Sequence, residues 1–160
     1  MAWERSAMLE EVPKAKGVYI LVLELRKPFL GRVGSLGMIK LEPGTYLYVG
    51  SARGPGGFRA RIGRHVSKEK RVRWHVDYLT TFEGVEPVAV VFAETENDAE
   101  AVLSAELMSM GMKPAVKGFG CSDKRSYTHL LKCSSARSVC IDACIEAFRR
   151  LGLEPKVVEL

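Results

Sequence analysis

The chain has no long hydrophobic run. Its longest, the nine residues Gly17–Leu25, is broken by Glu24 and falls far short of the ~20 apolar residues a membrane-spanning helix needs. The first twelve residues carry three acids and no apolar core segment, which argues against a secretion signal and makes a cytoplasmic protein the expectation. No internal repeat and no low-complexity stretch interrupts the sequence, so a repeat array is excluded. The four cysteines, Cys121, Cys133, Cys140 and Cys144, show none of the CxxC spacing of a metal site. Cys140 and Cys144 share a helical face that could hold a metal, but small buried hydrophobes with free thiols is the reading their type favours. The glycine-rich turn Gly54-Pro55-Gly56-Gly57 is not followed by a Walker-type lysine, so it gives no support to nucleotide binding.

What is present fits one domain. With 160 residues, 47% hydrophobic and 27% charged, the chain can bury a sizeable core and has an ordinary globular composition. The charge is unevenly spread. The total is +5, yet between Arg53 and His75 eight Lys and Arg stand against one Glu, so the rest of the chain is slightly acidic. A concentrated positive surface suits a polyanion, most commonly a phosphodiester backbone. Arg53, Arg59, Arg64, Lys68, Lys70, Arg71 and Arg73 are therefore the candidate nucleic-acid contacts.

Periodicity predicts an α+β fold: a small antiparallel or mixed sheet flanked by helices, closed by a C-terminal helix. A helix over Trp3–Glu11 belongs to an N-terminal lead-in (1–14), a main domain covers 15–133, and a helix and tail (134–160) pack on it. In GVYILVLEL, Val18, Ile20 and Val22 alternate with Tyr19, Leu21, Leu23 and Leu25, which predicts a central strand apolar on both faces. Tyr46 and Tyr48 share one side of the strand Thr45–Ser51. A helix over Phe58–Ser67 places Arg61 and His65 one turn apart beside the anchors Phe58 and Ile62. WHVDYLTTF reads as a short helix and VEPVAVVFA as a strand. In the helix from Asn97 to Met110, Asn97 and Glu100 fit a capping box. Ala99, Val102, Leu103, Leu107 and Met110 form the apolar stripe, with Glu106 inside it. An unpaired carboxylate there is costly; Glu106 either faces a polar cleft, meeting a cation or a metal, or pairs with Arg61.

These residues resemble the GIY-YIG nuclease superfamily. Gly17-Val18-Tyr19 stands as the first tripeptide, Tyr48-Val49-Gly50 as the second, Arg61 and His65 as the Arg…His pair of the first helix, and Glu106 as the glutamate of the later helix. More closely, the chain is similar to an uncharacterised branch of that superfamily, through YVGSA, the Arg61–His65 segment, WHVDYL, and FGCSD leading to His129-Leu130. The likeness covers residues 15–133. Two features depart from it: Pro114 leads into the FGCSD loop rather than to an Asn, and Lys124 and Ser126 stand where the branch often has cysteines.

The resemblance implies a metal-dependent endonuclease acting on DNA. Glu106 would bind one Mg²⁺ (or Mn²⁺), Arg61 would grip the scissile phosphate, and a tyrosine would act as general base, Tyr19 first and Tyr48 second, with His65 as its partner. A base tyrosine needs nearby positive charge to favour phenolate. Trp74, His75, Asp77, Ser122, Asp123 and His129 stand one step further out, as neighbours of the site or as packing and capping residues. A nucleic-acid-binding module that does not cut fits the basic segment equally well, and an enzyme on another phosphate ligand is the third reading.

Overall fold

The computed structural model describes residues 8–121 and 126–160. Most of the expected N-terminal helix, and Ser122 and Asp123 of the candidate site, lie outside the described residues. Among the described residues the order is β1 (Gly17–Leu25), β2 (Phe29–Arg32), β3 (Met38–Leu41), β4 (Gly44–Ala52), α1 (Gly57–Val66), α2 (His75–Thr80), β5 (Val85–Glu94), α3 (Glu100–Ser109), β6 (Lys113–Pro114), β7 (Leu130–Cys133), α4 (Arg137–Arg150) and β8 (Lys156–Glu159). This is the α+β class expected from the sequence. The main sheet runs β6-β7-β4-β1-β5-β8 with every pair antiparallel, and β2 and β3 form a separate hairpin. No described helix is long and apolar enough to cross a membrane.

The alternation in β1 divides the core as expected. Tyr19, Leu21 and Leu23 join Tyr46 and Tyr48 on one face, packed with Phe58, Ile62, Val76 and Leu79 of α1 and α2 and with Phe29 and Leu41 of the hairpin. Val18, Ile20 and Val22 join Leu47 and Val49 on the other, under Leu103 and Leu107 of α3 and Cys144 and Phe148 of α4. Burying both faces of a strand requires such a helical layer on each side. At the start of α1 no side chain caps the helix; the lead-in does so, with Ala15 O accepting from Phe58 N and Pro13 O from Arg59 N.

Three expectations are corrected. The stripe of α3 is narrower than its sequence suggests, because Val102 is 54% exposed while Ala99, Leu103 and Leu107 are buried. The helix begins at Glu100 with Ala99 at its N-cap and no side-chain cap, so Asn97 and Glu100 form no capping box. The cysteines are not all free: Cys133 and Cys140 are disulfide-bonded, with Cα atoms 6.1 Å apart, within the usual span. The turn from β7 into α4 folds Cys140 back onto Cys133, a pairing that neither CxxC nor helical spacing reveals. Cys121 and Cys144 remain thiols, and burial pushes the Cys144 thiol up to about 12.

Candidate active site

A cavity of about 520 Å³ opens beside β4 and α1, lined by Ser35, Tyr48, Ser51, Arg61, Arg73, Trp74, His75, Glu100, Gly120 and Cys121. Tyr19 lies behind its wall, fully buried. Gly50, opposite Tyr19 in the β1–β4 register, makes room for the phenol: a Cβ there would sit 2.5 Å from the Tyr19 Oη. Tyr19 Oη and His65 Nε2 are 2.6 Å apart and hydrogen-bonded. The His65 ring also lies 5.9 Å from the Tyr48 ring, edge to face. Four of the five residues expected to meet, Tyr19, Tyr48, Arg61 and His65, thus share one neighbourhood.

Glu106 does not. It pairs with Arg150 of α4, its Oε1 3.3 Å from Nη1, and is absent from the cavity wall. With Val102 exposed, position 106 belongs to the flank of α3 that meets α4, not to the face over the site. Glu100, six residues earlier, supplies the cavity's carboxylate. Its Oε2 lies 3.5 Å from His129 Nδ1, and His129 is buried with its Nε2 unpartnered.

The electrostatics correct the expected phenolate. Burial raises the Tyr19 hydroxyl well above its ordinary value, and a charge on Tyr48 would add to this, while Arg61 opposes it. Tyr48 is raised by the same burial, next by Glu100, against Arg61. Desolvation thus outweighs the positive neighbours, and both phenols are protonated. Tyr48 rather than Tyr19 reaches the cavity, which reverses the order expected of them. Burial, then the charges of Lys70 and Arg61, lower His65 to about 3, so its imidazole is neutral.

Five of the seven expected nucleic-acid cations are tied to the protein. Arg53 donates to Glu96 O and Asn97 O, Arg59 to Val12 O and Glu10 O, and Lys68 to Phe82 O and Val85 O. Lys70 donates to Arg64 O and Thr80 Oγ1; burial is the main force that lowers it to about 8. Arg64 donates to Arg71 O and to Asp77 Oδ2 at 2.6 Å. That carboxylate is fully buried and also accepts from the N–H groups of Arg73 and Trp74. Burial pushes the Asp77 carboxyl up, but these donors together hold it below its ordinary value. Arg73 lines the cavity, and Arg71 is exposed.

His75 Nδ1 accepts a hydrogen bond from Gly120 N at 2.9 Å, which ties the loop at Gly120 to the start of α2 and leaves the imidazole proton on Nε2. Burial lowers its pKa. Ser35, Ser51, Gly120 and Cys121 are wall residues that sequence reasoning missed, since no local pattern marks them. Glu100 stands in the sequence reading only as half of a capping box. Among the described residues no group of three or more His, Cys, Asp and Glu converges to hold a metal. The donor set instead suits a cation held by one carboxylate that completes its shell with water and phosphate, as Mg²⁺ does.

The sequence model of the family described as Domain of unknown function DUF123 matches residues 18–153. No curated protein and no solved structure matches the chain. The chain belongs to that family, and the match spans the strands and helices that build the cavity, from β1 through α4.

Proposed function

We propose that this protein is a metal-dependent endonuclease of GIY-YIG type that hydrolyses phosphodiester bonds in DNA, with Glu100 in the role expected of Glu106. The observation that carries this reading is the meeting of Tyr48, Arg61 and Glu100 on one cavity wall with the Tyr19–His65 pair directly behind it. Arg61 would take the charge of the phosphoryl oxygens in fork geometry. Tyr48, protonated at rest, would orient the attacking water through its hydroxyl. Neutral His65 would hold the Tyr19 phenol in place, and the proton of the attacking water would leave through the open mouth of the cavity. Glu100 would hold one Mg²⁺ or Mn²⁺, whose chemistry is to polarise the phosphoryl oxygen and acidify water. A cytoplasmic location among nucleic acids belongs to the same proposal.

Purified protein with branched, flap and duplex DNA and Mg²⁺ or Mn²⁺ tests it. Glu100→Gln is expected to lower cleavage by about 100-fold or more, the scale of losing a group that stabilises transition-state charge, and Glu106→Gln to leave it nearly unchanged. The opposite ranking would overturn the assignment. The raised tyrosine pKa values favour one alternative, a nucleic-acid-binding module with this fold that does not cut. Salt-dependent binding without cleavage under either metal would select it.

A further inference from the structure

The proposed chemistry leaves the one indole of the cavity wall unused. Trp74, just before α2, is 37% exposed and stands on the cavity wall between Arg73 and His75. Its ring is covered by two guanidiniums, Arg61 Cζ at 4.4 Å from the centroid and Arg64 Cζ at 4.7 Å. The two are held differently. Arg64 is anchored on Asp77 and Arg71 O, whereas Arg61 has no carboxylate within ion-pair distance among the described residues and rests beside the Tyr19 hydroxyl. The Trp74 backbone is itself fixed, its N–H donating to Asp77 Oδ2.

A phosphate entering the cavity would draw Arg61 toward it and off the indole. The ligand that then fits the vacated position is flat, has a π face and carries that same phosphate: a nucleotide. A cavity of about 520 Å³ is in the range that encloses a small organic ligand. The Nε2–H of His75 beside it supplies a donor for a base edge. A base inside a duplex is already stacked on both faces and must leave the stack to reach an indole; an unpaired base need not.

We propose that Trp74 is a stacking platform for one unpaired nucleobase adjacent to the phosphate held at Arg61, so that the bound strand is single-stranded at this point. This rests on the nucleic-acid reading above but not on cleavage. The test is therefore a binding experiment with the Glu100→Gln protein and EDTA. The chain has two tryptophans, so Trp3→Phe leaves Trp74 as the only indole reporter. A DNA hairpin with a single-stranded arm fixes the register, and an abasic site is moved along the arm one position at a time. The fluorescence of Trp74 is expected to quench on binding. One abasic position should weaken affinity by about 5- to 150-fold, the range for a base stacked on an aromatic ring. Trp74→Ala should lose the same factor and flatten the scan, and Trp74→Phe should keep part of it. A flat scan with the parent protein, or a scan unchanged by Trp74→Ala, overturns the platform even where the enzyme cuts DNA. A peaked scan without cleavage by the Glu100-intact protein keeps the platform and removes the nuclease. Failure to bind any arm or duplex removes both.

Discussion

Acid should unfold this protein through His65. The imidazole is 1% exposed and accepts its proton only near about pH 3 in the fold, whereas in the unfolded chain it does so near ~6.5. Burial is the main cause, reinforced by Lys70, Arg61 and Arg64 and opposed by Asp77. Between the two values the unfolded chain binds more protons, so stability is full above about pH 6.5 and falls as the pH drops toward 3. The slope approaches ~1.4 kcal/mol per pH unit, and the loss from pH 7 to pH 4.5 is about 2.5 kcal/mol. That is a large fraction of the ~5–15 kcal/mol that holds a domain folded. In urea melts followed by circular dichroism, the midpoint should fall by about 1 M over this interval. His75, also lowered by burial, adds a slope of the same sign, so the comparison is between the parent protein and His65→Gln. The variant keeps a polar partner for Tyr19 and should lose most of the slope. Equal slopes in the two proteins would refute the argument that His65 is buried neutral.

Two further outcomes follow from close contacts and covalent ties. Gly50→Ala brings a Cβ within 2.5 Å of the Tyr19 Oη and 2.6 Å of its Cζ; Tyr19 is fully buried and has no room to swing, so the change should cost about 1–3 kcal/mol. Thermal melting should drop by about 3–10 °C, cleavage should fall with it, and an unchanged melting point would count against the register. Thiol titration of the denatured, unreduced protein should find two thiols rather than four, and reduction should cost about 2 kcal/mol for so short a loop. Four thiols before reduction would remove the Cys133–Cys140 bond.

The sequence revealed the sheet better than it revealed the helices. Strict alternation in β1 marked both faces, because strand side chains repeat every two residues and Gly17–Leu25 holds one polar residue to mislead. Tyr19 followed from it, as Tyr48 did from the same alternation in β4, while Arg61 and His65 came from the apolar anchors of α1. In α3 the same logic failed at one valine: Val102 looked like core, widened the stripe and drew Glu106 into it. A solvent-facing valine is common enough that apolar type alone does not fix a helical face. Glu100 was hidden by a plausible capping role that the backbone does not use. The tied cations were hidden for a different reason, since a lysine that grips a distant carbonyl reads in sequence like one that faces water. The disulfide and β8 depend on chain segments meeting in space, which no local spacing reports.

The strand β8 carries a consequence of its own. It pairs with β5 from Ala89 to Phe92, and β5 is ten residues long with eight buried. Removing the last few residues would leave this stretch with a row of unsatisfied amides and carbonyls open to a neighbouring molecule. The tail thus works as a guard rail, and a shortened chain should be recognised first by its tendency to stick to itself rather than by any change in its chemistry.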